Sequence, residues 1–184
     1  MQCPTSLRFF KTFCEINHKI LERLFYGASM TQPELIIASE FHLDILIGLV
    51  REFCDIDQHP FDRQRVERSL IPLLKHDNYG VVFLVESGGI TQSHAGSAFD
   101  GYAVLTWGYS LESGGREALI DEIYLRKRGE GLGAIVMTQI FDAMRERGIS
   151  RMFLETETHN ERARRFYSRQ GFETDDSIWM SRDL

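Results

Sequence analysis

Apolar residues recur along this chain with two different spacings, and each spacing predicts a different kind of element. Steps of three and four residues predict a helix that begins after Ser39, a second from Asp62, a third between residues 131 and 148, and a fourth over 160–170. Because Pro72 has no backbone N–H and its ring clashes one turn back, we expect the second helix to kink or break just before it.

The stretches between these helices carry strand signals, which are short apolar runs bounded by turn residues. The predicted strands cover residues 35–38, 81–86, 101–109, 118–125 and 151–157, with a last one around 178–181. Three consecutive strands without an intervening helix predict an antiparallel meander. The strand, helix and strand that follow form a right-handed crossover, so the strands around residues 120 and 154 should be parallel neighbours. The sequence therefore predicts an α+β fold, a mixed sheet flanked by helices with one parallel crossover unit.

The pattern is interrupted between Gly27 and Pro33, which divides the chain into an N-terminal extension, 1–33, and one domain, 34–184. In the extension, apolar residues at steps of three and four predict an amphipathic helix, namely Phe9, Phe13, Ile16, Ile20 and Leu24. That helix could pack on the domain or form the contact of a homodimer. It could also be an upstream extension, with Met30 as the true start.

Charge and cysteine usage narrow the range of partners. Of the 184 residues, 27 are Asp or Glu and 21 are Lys or Arg, so the formal net charge is −6. That balance favours neither nucleic acid nor an anionic membrane, and it suits a cationic small partner. The three cysteines form no C-x-x-C pair, which predicts neither a disulfide framework nor a zinc site. With no signal-peptide pattern and no apolar stretch of the ~18 residues that span a bilayer, we expect a cytoplasmic protein.

A glycine-rich turn stands between a predicted strand and the third helix. It consists of Arg128, Gly129, Glu130, Gly131, Leu132, Gly133 and Ala134. Glycines let a backbone approach a ligand, and the free N–H groups of a helix start bind phosphate, so we expect an anion here. Arg126 and Lys127 add positive charge to the same place. The alternative is a tight turn that uses glycine for its geometry alone.

The same turn also satisfies the dinucleotide pattern G-x-G-x-x-A, with Glu155 where a ribose-binding acid would lie. A doubly wound sheet needs several crossover units. Only one surrounds this turn, and about 50 residues remain after it. The dinucleotide interpretation is therefore the weaker one.

A second segment downstream completes a longer pattern. Arg128-x-x-Gly131-x-Gly133 is followed by Asn160-x-x-Ala163-x-x-Phe166-Tyr167-x-x-x-Gly171-Phe172. Together the two segments resemble the acetyl-CoA-binding signature of the GNAT superfamily of N-acetyltransferases, although either alone is weak. The motif core covers residues 120–172, and the order of elements over 35–184 is also similar to that superfamily. The stretch 101–122 resembles a bacterial subgroup whose substrates are mostly unassigned.

The resemblance implies the GNAT fold, acetyl-CoA as co-substrate, and a set of contacts to it. Those implied for the pyrophosphate are the Arg128 side chain and the backbone N–H groups of Gly129, Gly131, Leu132, Gly133 and Ala134. Those implied for the pantetheine arm, in a gap where the parallel strands splay, are the strand edge at Ile123, Tyr124 and Leu125, and Asn160. Tyr167 would face the thioester sulfur and protonate the departing thiolate.

Two adjacent carboxylates, Asp121 and Glu122, interrupt a strand that should be buried on both faces. Burying an ionised carboxylate costs free energy unless it is paired or used, so one of them is expected to do chemistry. A partly desolvated carboxylate with a raised pKa suits a base that deprotonates an acceptor ammonium. The resemblance places this base at Glu122 and leaves Asp121 as the next candidate. A salt bridge from Glu122 to Arg116 or a neighbour is the alternative.

Acidic residues and a histidine cluster in the loop between the first two helices, where many GNAT proteins form part of the acceptor pocket. They are Asp55, Asp57, His59 and Asp62, and Glu112 lies in another bordering loop. Solvated loop charges are the alternative. We expect an enzyme that moves an acetyl group from acetyl-CoA to a primary amine of a small molecule or peptide, by direct attack in a ternary complex and without a metal. The alternative function is a non-catalytic acyl-CoA-binding sensor or interaction module.

Overall fold

A computed structural model describes residues 32–86, 99–129 and 131–183. The helix predicted in the N-terminal extension lies outside these residues, so it stays a prediction. In chain order the elements are β1 (Glu34–Ile37), a 3₁₀ turn (Glu40–His42), α1 (Leu43–Asp57), α2 (Arg63–Lys75), β2 (Gly80–Glu86), β3 (Phe99–Ser110), β4 (Gly115–Leu125), α3 (Leu132–Glu146), β5 (Arg151–Leu154) and α4 (Glu161–Arg169).

The five strands form one sheet in the order β1-β2-β3-β4-β5. The first four pair antiparallel, whereas β4 and β5 pair parallel over Glu117–Ile120 and Arg151–Leu154. Because α3 connects β4 to β5, this is the predicted crossover, and both the meander and the α+β class are confirmed.

Short polar side chains and glycines set the helix boundaries. Asp62 Oδ1 accepts from the Arg65 N–H at 3.1 Å and caps α2, at the residue where the sequence predicts the second helix to begin. Beyond α3 and α4 the chain turns through Gly148 and Gly171, with φ of 72° and 90°. A side chain rarely adopts this left-handed conformation, which is why glycine ends both helices.

The sheet separates two hydrophobic cores. One face packs against α1 and α2, and its buried residues include Leu46, Leu49, Leu84, Tyr102 and Tyr124. The other face packs against α3, with Phe166 and Tyr167 of α4 partly buried there, and its buried residues include Val85, Ala118, Ile120, Val136 and Ile140. The described part of the chain therefore has three layers, and the position of a side chain along its strand decides which of the two cores it joins.

The structure corrects two predictions about elements. The predicted break in the second helix does not occur, since α2 runs to Lys75, whereas the alternative of a kink stays a prediction. The proline lies in the last turn, where it costs few helical hydrogen bonds, and buried Leu74 continues the apolar face beyond it. No strand forms around 178–181 either. A strand needs a partner for its backbone groups, and Ile178 is 89% exposed.

Two expectations from composition can be compared with the structure. Cys54 is buried and carries a free thiol, so it takes part in no disulfide. Within residues 32–86, 99–129 and 131–183, no helix combines the length and the hydropathy needed to cross a bilayer.

Candidate active site

A cleft opens where β4 and β5 separate. Their last paired residues are Ile120 and Leu154, after which β5 ends while β4 continues to Leu125. A cavity of about 1030 Å³ occupies this gap, and strand β4, the glycine-rich turn and α4 all contribute to its walls. Of the predicted site residues, the cavity is lined by Glu122, Ile123, Leu125, Arg128, Gly129, Gly131, Gly133, Ala134, Asn160 and Tyr167.

A bulge in β4 sets the direction of the side chains at this gap. Val104 of β3 pairs with Glu122, whereas the next residue, Leu105, pairs with Ile120. Asp121 is therefore an extra residue without a partner on β3. It is exposed, so the expectation that both carboxylates are buried is wrong for Asp121.

The extra residue reverses the strand parity. Before the bulge, Ala118 and Ile120 belong to the α3 core, whereas after it Tyr124 belongs to the core of α1 and α2. Glu122 lies on the same side as Tyr124, because its partner Tyr102 belongs to that core. Without the bulge, Glu122 would continue the α3 face. The bulge thus brings a carboxylate to the cleft from a strand that is otherwise apolar at this point.

Glu122 is half-buried, and the hydroxyl of Tyr102 donates a hydrogen bond to its Oε1. Burial raises the pKa of the Glu122 carboxyl, the hydrogen bond from Tyr102 lowers it, Asp121 and Asp57 raise it, and His59 lowers it. The net result is a pKa above the ordinary value of 4.5. Glu122 is therefore easier to protonate than an exposed glutamate.

The alternative of a salt bridge from Glu122 to Arg116 is wrong. The Arg116 guanidinium lies over the Trp107 ring, 5.3 Å from its centroid. Tyr102, a neutral donor, is the partner instead, and sequence reasoning missed it. Its signal was a tyrosine within the continuous apolar run of β3, because a buried hydroxyl requires a partner.

The glycine-rich turn leads into α3 through two left-handed residues. Gly129 and Gly131 have φ of 98° and 80°, and α3 begins at Leu132 without a side-chain cap. The Ala134 N–H donates to the Gly131 carbonyl at 3.0 Å. Among the described residues, the N–H groups of Leu132 and Gly133 have no acceptor. These two donors at a helix N-terminus can bind an anion.

Gly133 is also required by packing. A Cβ built there would lie 3.1 Å from two ring atoms of Phe166 in α4, and 3.8 Å from Leu125 Cδ1. The first distance is tighter than most side chains tolerate, so the Phe166 ring would have to move. A substitution of Gly133 therefore changes the contact between α3 and α4 as well as the cleft.

The three basic residues before the turn have different partners. Arg126 forms a bidentate ion pair with Glu52 of α1, in which Nη2 donates to Oε1 at 2.6 Å and Nε donates to Oε2 at 2.7 Å. Its Nη1 donates to the Phe99 carbonyl. Lys127 pairs with Asp100 at 3.1 Å. Within the described part of the chain, Arg128 has no ion-pair or hydrogen-bond partner. Arg128 is therefore the cation that is free to meet an anion at this turn.

Residues of α4 form the opposite wall. The Tyr167 ring packs edge-on against Phe166 and Phe172, with centroids 5.2 and 5.7 Å away. Burial raises the pKa of the Tyr167 hydroxyl, which keeps it protonated at neutral pH. Asn160 Oδ1 caps α4 by accepting from the Ala163 N–H at 3.1 Å, which leaves both donors of its amide NH₂ group available to a ligand.

The strand edge predicted to bind a pantetheine arm includes residues with different orientations. The Arg126 N–H donates to the Asp100 carbonyl on β3 at 2.8 Å. Since backbone groups alternate sides along an antiparallel strand, those of Ile123 and Leu125 point away from β3, towards the gap. Those of Tyr124 point to β3, and its hydroxyl contacts Glu52 at 3.4 Å. Tyr124 and the Leu132 side chain do not line the cavity.

The acidic residues and the histidine predicted to cluster between α1 and α2 lie in different places. Asp57 and His59 line the cleft, with Oδ2 of Asp57 3.4 Å from Nδ1 of His59, whereas Asp62 caps α2. Glu157, which sequence reasoning missed, lies after β5 and meets this pair, with the ligand atoms of the three residues within 4.8 Å of one another. Asp55 does not line the cleft, and Glu112 lines a separate cavity. These three residues could hold a cation, and a metal-free reaction stays a prediction.

Comparisons with known proteins identify the family and the fold. The sequence matches the family model described as "Acetyltransferase (GNAT) family" over residues 49–172. The integron cassette protein HFX_CASS3, from the mobile metagenome of Cole Harbour Salt Marsh, is 26% identical, with a TM-score of 0.68 over 82% of this chain and 90% of that one. A protein from Arthrobacter sp. FB24 is 24% identical, with a TM-score of 0.68 over 86% and 99%. Aminoglycoside N-acetyltransferase AAC(6')-Iy in complex with CoA is 13% identical, with a TM-score of 0.67 over 86% and 99%. No curated protein sequence matches significantly.

Proposed function

The chain belongs to the GNAT acetyltransferase family, and we propose that it transfers the acetyl group of acetyl-CoA to a primary amine by direct attack in a ternary complex. The observation that carries this proposal is the joining of two chemically different ends in one cleft. One end has the N-terminus of α3 and Arg128, and the other has the half-buried carboxylate of Glu122. A donor with a pyrophosphate and an acceptor that must lose a proton match these two ends.

The pyrophosphate of acetyl-CoA would be bound by the free N–H groups of Leu132 and Gly133, with Arg128 adding a charge-assisted hydrogen bond. The amide groups of the pantetheine arm would pair with the backbone of Ile123 and Leu125, as an added strand does at an open sheet edge. This arrangement is supported by the end of β5 at Leu154, which leaves that edge without a partner strand. The NH₂ group of Asn160 would bind the same arm.

The reaction needs one base and one acid. Glu122 would accept a proton from the ammonium group of the acceptor, directly or through a water molecule. The free amine nitrogen would then attack the thioester carbonyl carbon, so that a C–N bond forms and the C–S bond breaks. Tyr167 would donate its hydroxyl proton to the departing thiolate. The raised pKa values of Glu122 and Tyr167 support these roles. A carboxylate with a raised pKa is a stronger base, and a phenol with a raised pKa stays protonated until it donates its proton.

The acceptor side of the cleft supports an amine as the substrate class. Asp57, Glu157 and Glu122 line this side, with His59 between the first two. Carboxylates attract an ammonium group and hold it within reach of the base. A small molecule or a peptide with a primary amine would satisfy this arrangement.

The test is an acetyl-transfer assay on the full chain. The protein is incubated with acetyl-CoA and a panel of amines comprising 1,4-diaminobutane, spermidine, kanamycin and a lysine-containing peptide. Free CoA is measured with a thiol reagent, and the acetylated amine is identified by mass spectrometry. We expect at least one amine to gain 42 Da in an amount equal to the CoA released.

Two variants serve as controls for the roles of individual residues. Tyr167→Phe should slow turnover and leave CoA affinity nearly unchanged, because the ring still packs and only the hydroxyl is lost. Glu122→Gln should also release less CoA at neutral pH. Tight CoA binding in calorimetry, without transfer to any amine of a broad panel, would instead favour a non-catalytic acyl-CoA-binding module.

A further inference from the structure

Tyr102 is a polar residue at the centre of an apolar core. Its side chain is fully buried, and its ring packs against Tyr124 with a centroid distance of 6.0 Å. The hydroxyl is directed at the cleft, where it donates to Glu122 Oε1. Among the described residues this is the hydrogen bond that Glu122 makes, and Oε2 has no donor. A phenylalanine would fill the same volume, so the hydroxyl requires another explanation.

The hydroxyl cannot itself carry a proton in the reaction. Burial and the adjacent carboxylate of Glu122 both raise the pKa of Tyr102 far above its ordinary value. Tyr102 is therefore a neutral donor at neutral pH. What the hydroxyl can do is fix the Glu122 carboxylate, because a hydrogen bond to one oxygen selects the orientation of the other.

We propose that Tyr102 is a positioning residue, whose hydroxyl holds Oε1 of Glu122 so that Oε2 faces the acceptor amine. Glu122 pairs with Val104, and Tyr102 lies two residues before Val104 on the same strand. Tyr102 and Glu122 are therefore diagonal neighbours on adjacent strands. Their distance is thus set by the sheet rather than by a loop. The inference rests on the proposed function, since it gives Glu122 a base's role.

The contact also predicts a change in the titration of Glu122. The other ionisable groups that influence Glu122 come from its own strand, from α1 and from the loop after α1, and they are Asp121, Cys54, Asp57 and His59. All of them remain in a Tyr102→Phe variant. Since the hydrogen bond stabilises the ionised carboxylate, its loss should raise the pKa of Glu122 by about one unit.

A titration by nuclear magnetic resonance tests the contact without an acceptor. The full chain is labelled with ¹³C at glutamate side chains, and Glu122 is assigned by comparison with Glu122→Gln. We expect the Tyr102→Phe variant to titrate about one pH unit higher than the parent at Glu122. Tyr124→Phe is the matched control. It removes another hydroxyl from the same core, and the hydrogen-bond partner of that hydroxyl is Glu52 rather than Glu122. The Tyr124→Phe variant should titrate at Glu122 with the same midpoint as the parent.

The parent protein offers a measurement that needs no variant. If the hydrogen bond exists in solution, the ¹³Cζ resonance of Tyr102 should shift as Glu122 ionises, with the same midpoint. An unchanged Tyr102 resonance, or equal Glu122 midpoints in the parent and in folded Tyr102→Phe, would overturn the proposal.

Kinetics then separate the contact from the base's role. With any active amine of the panel, the acid limb of kcat/KM should move by the same amount in Tyr102→Phe as the Glu122 titration does. In a protein that already carries Glu122→Gln, the addition of Tyr102→Phe should not shift either limb of the kcat/KM profile. If the Glu122 titration shifts but the acid limb of kcat/KM does not, the positioning role is overturned, because Glu122 is then not the base. Failure of every amine in the panel would leave the titration as the deciding measurement for the contact.

Discussion

The two ends of the cleft are built in different ways. The end proposed to bind pyrophosphate, called the anion end, includes Arg128, Gly129 and residues 131–134, and its shape comes from two left-handed glycines and a helix start. The base end consists of Glu122, a tyrosine 20 residues upstream on another strand, and a loop between α1 and α2. The first end depends on local backbone conformation, whereas the second depends on the register of the whole sheet.

The two ends also differ in charge. Arg128 and free N–H groups make the anion end electropositive, while Asp57, Glu157 and Glu122 make the base end electronegative. A cleft with this polarity orients its ligands, because a phosphate group is repelled from one end and an ammonium group from the other. Orientation of two substrates in a ternary complex is worth several kcal/mol of a barrier, of the order of ~7 when the geometry is good.

The largest effect we predict is at the base end. Glu122→Gln should reduce kcat by about 10²- to 10⁴-fold at neutral pH, the range for one general base. The defect should shrink as the pH approaches ~10, the pKa of an alkyl amine, because free amine then forms without a base. A pH–rate profile of the parent and the variant measures both effects.

Asp121→Asn is the comparison variant for that profile. Asp121 is the extra residue of the bulge and is exposed, so its loss should cost less than that of Glu122. Parallel profiles for Glu122→Gln and the parent, together with a larger loss in Asp121→Asn, would assign the base to Asp121. A loss well under tenfold in both variants would mean that water is the base.

The second prediction addresses the anion end without disturbing its glycines. Ala134 is exposed, lines the cavity and occupies the third position of α3. Glutamate is favourable at that position of a helix, yet its charge would repel a pyrophosphate at the same N-terminus. We expect Ala134→Glu to weaken CoA binding about tenfold or more in calorimetry, with no loss of thermal stability.

Ala134→Gln is the matched neutral control and should bind CoA within a few-fold of the parent. CoA affinities equal to the parent's in both variants would place the pyrophosphate away from α3. Equal losses in both would indicate steric exclusion rather than charge. Either result would show that charge at the N-terminus of α3 does not govern CoA binding.

Sequence reasoning succeeds where the cause is local. The caps at Asp62 and Asn160, the glycines after α3 and α4, and the turn of residues 128–134 all follow from the preferences of a few adjacent residues. The antiparallel meander follows from consecutive apolar strands, and the GNAT fold is implied by the resemblance of two segments to that family's signature. The backbone of the proposed anion end follows from these local features, while its ligand stays a prediction.

The base end could not be predicted in the same detail. The bulge at Asp121 depends on the pairing of β4 with β3, and no single residue of the sequence predicts it. The partner Tyr102 follows from that register, and Arg126 is withdrawn from the anion end by Glu52, which lies 74 residues away. The strand predicted around 178–181 failed for a related reason, because apolar alternation does not supply a neighbouring strand.

The smallest effects should come from two arginines that are two positions apart. Arg128→Ala removes the cation without a partner, so we expect about fivefold weaker CoA binding and an unchanged free energy of unfolding. Arg126→Ala removes the ion pair between the residue that follows β4 and Glu52 of α1, so we expect about 1 kcal/mol lower stability and nearly unchanged CoA affinity. Calorimetry with CoA and urea unfolding measure the two quantities. Similar losses of CoA affinity in both variants would show that the arginines act as one electropositive patch.

The loss of stability in Arg126→Ala should itself depend on pH. The hydrogen bonds and charge of Arg126 lower the pKa of Glu52 below its ordinary value of 4.5, although burial opposes them. A carboxylate with a lowered pKa in the folded state contributes stability above its unfolded pKa and loses it as the pH falls through the folded value. The difference in unfolding free energy between the parent and Arg126→Ala should therefore be constant between pH 6 and 8 and should decrease from about pH 4.5 towards pH 3. A difference that does not change over this range would show that the hydrogen bond from Arg126 to the Phe99 carbonyl, and not the ion pair with Glu52, holds β4 in place.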